Sequence, residues 1–219
     1  MTGVARITGP LISTVGATLD RLDHATRASR ERAAVSVFYG HAPSWGDRLA
    51  SGAYFAASAH MWGDLGLEAG HRRALEVGLG WVEGFPRRAL DICTGAGAGA
   101  AVVAARFPAA EVMGVDISRR MLREASRRYR SPNLKFVRAD ALALPVADGS
   151  TDLITVLNAV SVPVEICRVL APRGTVIVAG TWSAIQQRGL ALEHWERAGL
   201  RLARAEDVDS GGAEMFVRA

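Results

Sequence analysis

Three aspartates close three successive apolar runs, and their placement is the first chemistry the chain offers. Asp91 stands in ALDICTGAGAGA (89–100), Asp116 in AEVMGVD (110–116) and Asp140 in LKFVRAD (134–140). In the first stretch a strand-like run breaks into Gly95, Gly97 and Gly99, separated by single alanines, before a helical pattern begins. A strand that stops in a Gly-rich turn and restarts as a helix is a nucleotide-binding device. Glycine spacing alone leaves the nucleotide open. A pyrophosphate is poorly served by a carboxylate so close to the glycines, and the Gly-Lys-Ser/Thr ending of a triphosphate loop is missing. Asp91 suits a ligand that carries an ammonium and a sulfonium, as S-adenosylmethionine does. Asp116, about twenty residues past the glycines, can accept hydrogen bonds from ribose hydroxyls in a dinucleotide or in S-adenosylmethionine. Asp140 tips the reading to the latter: its carboxylate can accept from an adenine amino group while the Ala141 amide serves a ring nitrogen. Any one of these aspartates can instead cap the helix that follows it. Three in register weaken that alternative.

The elements that must hold these residues alternate strand and helix from residue 88 onward, the mark of a parallel sheet covered by helices. Strands are expected at 88–93, 110–116, 134–140, 151–158 and 174–181, with helices at 97–107, 118–130, 162–171 and 190–200. Ser118 is a candidate N-cap, Pro172 and Gly174 stop the third of these helices, and Gly199 closes the fourth. Two last strands, LRLARAED and AEMFVRA, are joined through Ser210, Gly211 and Gly212. A turn that tight makes them antiparallel neighbours, because parallel strands need a longer crossover. The expected architecture is α/β and Rossmann-like: a seven-stranded, mostly parallel sheet with its last strand inserted antiparallel and helices on both faces. Residues 1–87 read instead as helices, at 11–34, 46–62 and 68–82. Six of the fourteen aromatic residues fall between Phe38 and Trp62. The chain therefore divides into a helical cap or lid at 1–87 and a cofactor-binding domain at 88–219.

Composition narrows the classes further. The chain has 219 residues and a formal charge of +4, carried almost wholly by arginine, Lys135 being the only lysine. The densest basic run, SRRMLREASRRYR (118–130), places Met121, Leu122 and Ala125 on one helical face and leaves most arginines in solvent. A nucleic-acid footprint would also be basic, but only Tyr129 in this run offers a stacking ring, which disfavours nucleic acid as a partner. No apolar stretch reaches the roughly 18 residues of a membrane span. The two cysteines, Cys93 and Cys167, have no metal or redox spacing. The expectation is a soluble, cytoplasmic, metal-free protein, monomeric or homodimeric.

Over residues 36–219 the chain resembles the class I S-adenosylmethionine-dependent methyltransferases, of the group that includes the ubiquinone and menaquinone C-methyltransferases. LDICTGAGAGA resembles that group's glycine-rich motif, and VMGVDISRRMLREA its acidic second-strand motif. FVRADALALPVADGSTDLITV resembles its adenine-reading segment, and CRVLAPRGTVIV its turn into the fifth strand. The resemblance implies that Gly95 and Gly97 let the backbone approach the methionine end of the cofactor, near Asp91. It implies that Asp116 holds the ribose and Ile117 covers one adenine face, while Asp140 and Ala141 read the adenine. The Asn158 backbone carbonyl would meet the ammonium group. Upstream, FYGHAPSWGDRL resembles the family's lead-in segment and places Tyr39 near the cofactor. Departures concentrate away from the cofactor. Cys93 stands where many members have glycine, Trp45-Gly46 replaces Tyr-Asp, and Arg173 replaces the first glycine of the turn. NAVSVPVEICRVL follows the fourth strand with no intervening loop and without the histidine often found there.

The implied activity is methylation of a small apolar or aromatic acceptor on oxygen or carbon, in quinone or secondary-metabolite biosynthesis. A hydroxyl nucleophile needs a general base. His41, in the lead-in segment, and His60, in YFAASAHMW, are the candidates nearest the expected pocket. Two alternatives stay open: a methyltransferase-fold protein without methyl transfer, acting as a cyclase or binding module, and an RNA methyltransferase using the Arg-rich helix.

Overall fold

The computed structural model of the chain describes residues 69–159, 162–181, 188–209 and 211–219. The elements run α1 (Ala69–Leu79), β1 (Arg88–Ile92), α2 (Ala98–Arg106), β2 (Glu111–Asp116), α3 (Arg119–Arg128) and β3 (Leu134–Arg138). There follow β4 (Thr151–Leu157), α4 (Pro163–Val169), β5 (Leu170–Thr181), α5 (Arg188–Arg197), β6 (Leu200–Val208) and β7 (Gly211–Arg218). Among the described residues the strands form one seven-stranded sheet, in the order β3-β2-β1-β4-β5-β7-β6. β1 to β5 pair in parallel, and β7 lies antiparallel between β5 and β6. This is the expected Rossmann-like sheet with its inserted last strand. The order reverses between β1 and β4, so the crevice for a ligand opens beyond the carboxyl ends of those two strands.

The sheet is apolar on both faces, as parallel strands buried under helices require. On one face Leu75 and Leu79 of α1, with Val103 of α2 and Phe107, pack with Val112, Leu153 and Ile177. On the other, Ile166 and Val169 of α4 and Trp195 of α5 pack with Ile154, Val156, Val176 and Phe216. The Trp195 and Phe216 rings stack with centroids 4.2 Å apart. In α3 the apolar face is the expected one: Met121, Leu122 and Ala125 are buried, and the Met121 amide donates to the Ser118 hydroxyl oxygen at 3.3 Å. Arg119, Arg120 and Arg123 are exposed. No helix among the described residues is long and apolar enough to cross a membrane.

Two boundaries differ from expectation. The strand expected from residue 174 begins at Leu170, which pairs with Thr151 ahead of a register shift between Thr151 and Leu153. Pro172 and Gly174 thus mark an irregular strand entry rather than a helix stop; α4 has already ended at Val169, with Leu170 extended. Likewise Gly211 and Gly212 belong to β7, paired with Thr181 and Gly180 on one side and with Val208 and Asp207 on the other. The connection from β6 is therefore shorter than the glycines suggest, and Asp209 takes the left-handed backbone, φ 51°. The helix expected at 68–82 is α1. The helices expected at 11–34 and 46–62, with Tyr39, His41 and His60, lie outside the described residues.

Candidate functional site

β1 ends at Ile92, and the next five residues make the loop that aims α2. Cys93 adopts φ 55°, a left-handed conformation where glycine would be relaxed. The Thr94 amide donates to the Val115 carbonyl at 2.9 Å, tying the loop to β2, and the Gly97 amide closes back on the Thr94 carbonyl at 2.9 Å. Beneath this loop lies Asp91, only 1% exposed. Its Oδ2 accepts from the Thr94 hydroxyl and its Oδ1 from the Thr155 hydroxyl, each at 2.6 Å. Thr155 sits directly across from it in the β1–β4 pairing. The Ala100 amide, in the first turn of α2, is near enough to favour the charged form of the same carboxylate.

Helix α2 has Gly97 at its N-cap and no side-chain cap of its own. Asp91 lies beneath this end on the strand below, and its charge suits the positive end of the helix. The approach is possible because position 99 is glycine: a Cβ there would lie 2.9 Å from each Asp91 carboxylate oxygen. Burial pushes the Asp91 carboxyl up to about 6, against the pull of the two hydroxyls and the amide. The carboxylate therefore props the loop from behind. Its oxygens face Thr94, Thr155 and Ala100, where the sequence reading turns them toward an ammonium group.

Asp116 stands half-buried on the ligand side. It accepts from the Gly95 amide at 2.9 Å and the Ser118 amide at 2.8 Å, and the nearby Ile117 amide also favours its charged form. Burial raises its carboxyl above the usual range and these donors oppose the rise. Each oxygen has two lone pairs, so both retain capacity for a ligand hydroxyl. The two glycines divide their work. At Gly95, φ 55°, no described residue lies within 4 Å of where a Cβ would project, so the backbone there is bare toward the crevice. At Gly97, φ 93°, a Cβ would fall 2.8 Å from both the Ala125 Cβ and the Phe136 ring. Gly97 is therefore required by packing against α3 and β3, a different reason from the expected approach of a ligand.

Beyond Asp116 the rim is apolar, with Ile117 54% exposed and its carbonyl held by the Arg138 Nε at 3.0 Å. The Ala139 amide donates to the Asp116 carbonyl at 3.1 Å, joining the ends of β2 and β3. Asp140 then folds a tight turn: its Oδ1 accepts from the Leu142 amide and its carbonyl from the Ala143 amide, each at 3.0 Å. Ala141 is half-buried and Leu142 exposed in that turn. Asn158, just past β4, has φ 49° and donates its amide to the Ala179 carbonyl at 2.7 Å.

Asp91, Asp116 and Asp140 all act electrostatically on one group, the Cys93 thiol. Burial first, and then the fields of Asp116, Asp91 and Asp140, push that thiol up to about 12. It is an inert thiol in a strongly acidic neighbourhood. Residues the sequence reading passed over include Thr155, whose signal is a hydroxyl on an otherwise apolar buried strand. They also include Glu165 and Arg168, whose signal is opposite charge at i,i+3 on a helix. Among the described residues no group of acidic, histidine and cysteine side chains could hold a metal ion.

Residues 89–174 match the family model of a methyltransferase domain. A demethylmenaquinone methyltransferase of Thermus thermophilus is 39% identical over 116 residues, 49% of this chain and 51% of the relative. A ubiquinone/menaquinone biosynthesis C-methyltransferase of Desulfotalea psychrophila is 37% identical over 99 residues, 42% of this chain and 40% of its own length. The chain spans about half the length of the curated relatives it matches. Among solved structures, a SAM-dependent methyltransferase from Aquifex aeolicus shares the fold, with a TM-score of 0.63 at 16% identity, over 75% of this chain and 98% of that one.

Proposed function

We propose, from the premise that residues 89–174 belong to the methyltransferase-domain family, that this chain is an S-adenosylmethionine-dependent methyltransferase. Its acceptor is a small apolar or aromatic molecule, methylated on oxygen or carbon. The names of its relatives, demethylmenaquinone and ubiquinone/menaquinone methyltransferases, put quinone-like rings first among the acceptors to try. The observation that carries the reading is a bare glycine backbone at Gly95 whose amide is held by the Asp116 carboxylate. A phosphate is repelled by that carboxylate, and a sulfonium with an ammonium is attracted.

The residues present fit that cofactor. The Gly95 backbone leaves room for its amino-acid end, with the Asn158 carbonyl as an acceptor for the ammonium group. The free lone pairs of Asp116 serve the ribose hydroxyls, Ile117 offers an apolar cover for the adenine, and Asp140 with Ala141 reads the adenine edge. When bound, S-adenosylmethionine supplies an activated methyl group on a positively charged sulfur. The protein's part is placement: a loop propped by Asp91, a ribose anchor at Asp116 and an adenine turn at Asp140 hold one orientation. Such alignment is worth about 7–11 kcal/mol of barrier in well-oriented reactions. We keep the division into a helical cap at 1–87 and a cofactor-binding domain at 88–219, with Tyr39 as a cofactor contact and His41 and His60 as candidate bases. We place the protein in the cytoplasm as a monomer or homodimer.

Calorimetric titration tests the reading. The full chain is expected to bind S-adenosylmethionine and S-adenosylhomocysteine at micromolar levels and NAD not at all. Asp116→Ala, checked as folded by circular dichroism, should weaken the first two at least tenfold, a loss of about 1.4 kcal/mol or more. A folded wild-type chain that binds neither sulfur nucleoside would sink the proposal.

A further inference from the structure

The turn that carries Asp140, Ala141 and Leu142 belongs to a connection, residues 139–150, with no helix or strand of its own beyond one isolated bridge. One end is fixed by the Ala139 amide on the Asp116 carbonyl. The other is fixed by two side chains of α4 that take the place of a strand partner. Glu165 Oε1 accepts from the Leu144 amide at 2.6 Å, and Arg168 Nη2 donates to the Leu144 carbonyl at 3.1 Å. Both backbone groups of one residue are thus read by one ion pair, itself bidentate at 2.6 and 2.8 Å. Arg168 Nη1 adds the Val146 carbonyl at 3.1 Å and Asp148 at 2.5 Å. All five guanidinium donors are then used, one contact each, an arrangement that needs the planar fork of arginine. The Leu144 side chain is 5% exposed, in the same core cluster as Ile166 and Val169. Between Ala139 and Leu144 the connection is a single short turn, closed by the Leu142 and Ala143 amides on Asp140.

We propose that Glu165 and Arg168 are positioning residues for adenine recognition: by fixing Leu144 they set where Asp140 and the Ala141 amide point. The inference rests on the reading of this site as one for S-adenosylmethionine. It makes base selectivity a property of a helix that need not touch the base at all.

The test compares S-adenosylhomocysteine with S-inosylhomocysteine, which replaces the adenine amino group by an oxygen, by calorimetry on the full chain. Wild type should prefer the adenine form. Arg168→Gln should lower affinity for S-adenosylhomocysteine roughly tenfold while leaving S-inosylhomocysteine nearly unchanged, so that the preference collapses. Arg168→Lys, which keeps the charge without the fork, should fall between them and guards against a variant that does not fold. Asn133→Ala is the control, because Asn133 holds the Ala104, Phe107 and Ala110 carbonyls away from this turn. It should lower the melting temperature and keep the preference. Arg168 variants that melt earlier but keep the wild-type preference would overturn the inference and leave the site reading intact. A folded wild type that binds neither nucleoside would overturn the site reading, and the inference with it.

Discussion

Asp91 sits where a charge is costly, and its titration should report that cost. Its carboxyl rises from 3.8 to about 6 in the folded chain, so the folded state holds this proton more tightly than the unfolded one. The stabilisation is fully present below pH 3.8 and is lost as pH rises through about 6. A rise of that size corresponds to about 3 kcal/mol. Between pH 4 and pH 7 the wild type should lose roughly that much stability relative to Asp91→Asn, read from urea unfolding at each pH. A pH-independent difference between the two would refute this account of the buried charge. That an acid belongs at this position was legible in LDICTGAGAGA. Its direction was not, because the hydroxyl that claims Oδ1 is Thr155, reached only once β1 and β4 pair. Asp116 and Asp140 were legible as carboxylates at or just past strand ends, and the local amides at residues 118 and 142 that they accept from follow from that placement; the Gly95 amide on Asp116, 21 residues away, does not.

At the scale of an element, the loop between β1 and α2 separates two demands on glycine. Gly97→Ala meets both an unfavourable φ and two neighbours at 2.8 Å, and should cost roughly 2–5 kcal/mol of folding stability. Gly95→Ala meets only the backbone strain, about 1–2 kcal/mol, yet puts its methyl group toward the crevice. Urea unfolding paired with calorimetry should therefore show the Gly97 variant losing mainly stability and the Gly95 variant losing mainly ligand affinity. Equal effects on both quantities would mean that the loop does not divide its work in this way. The strands and helices of the sheet followed from periodicity, because each is dictated by its own apolar pattern. The starts of β5 and β7 did not, since Pro172, Gly174, Gly211 and Gly212 carry turn signals that long-range pairing overrides. Gly211 and Gly212 each have strand partners on both sides, and no local propensity encodes that.

At the scale of the whole molecule, the sheet formed by the described residues has two edges, β3 and β6, and both are charged. β3 presents Lys135 and Arg138, while β6 presents Arg201, Arg204, Glu206 and Asp207, all exposed. Charged edges discourage strand addition from another chain. Replacing Arg201 and Glu206 together by valine should leave folding stability within about 1 kcal/mol of wild type. The same variant should raise concentration-dependent light scattering; scattering equal to wild type at matched concentration would deny the edge that role. The insertion of β7 between β5 and β6 bears on synthesis as well. Among the described residues β6 pairs with β7 alone, so the ribosome delivers β6 before the strand that can admit it to the sheet. At about 5–20 residues per second, the stretch from Leu200 to Arg218 takes about one to four seconds to make. During that interval β6 is an orphan strand on a nascent chain, and the charges that guard the finished edge are already there to keep it from pairing with the wrong neighbour.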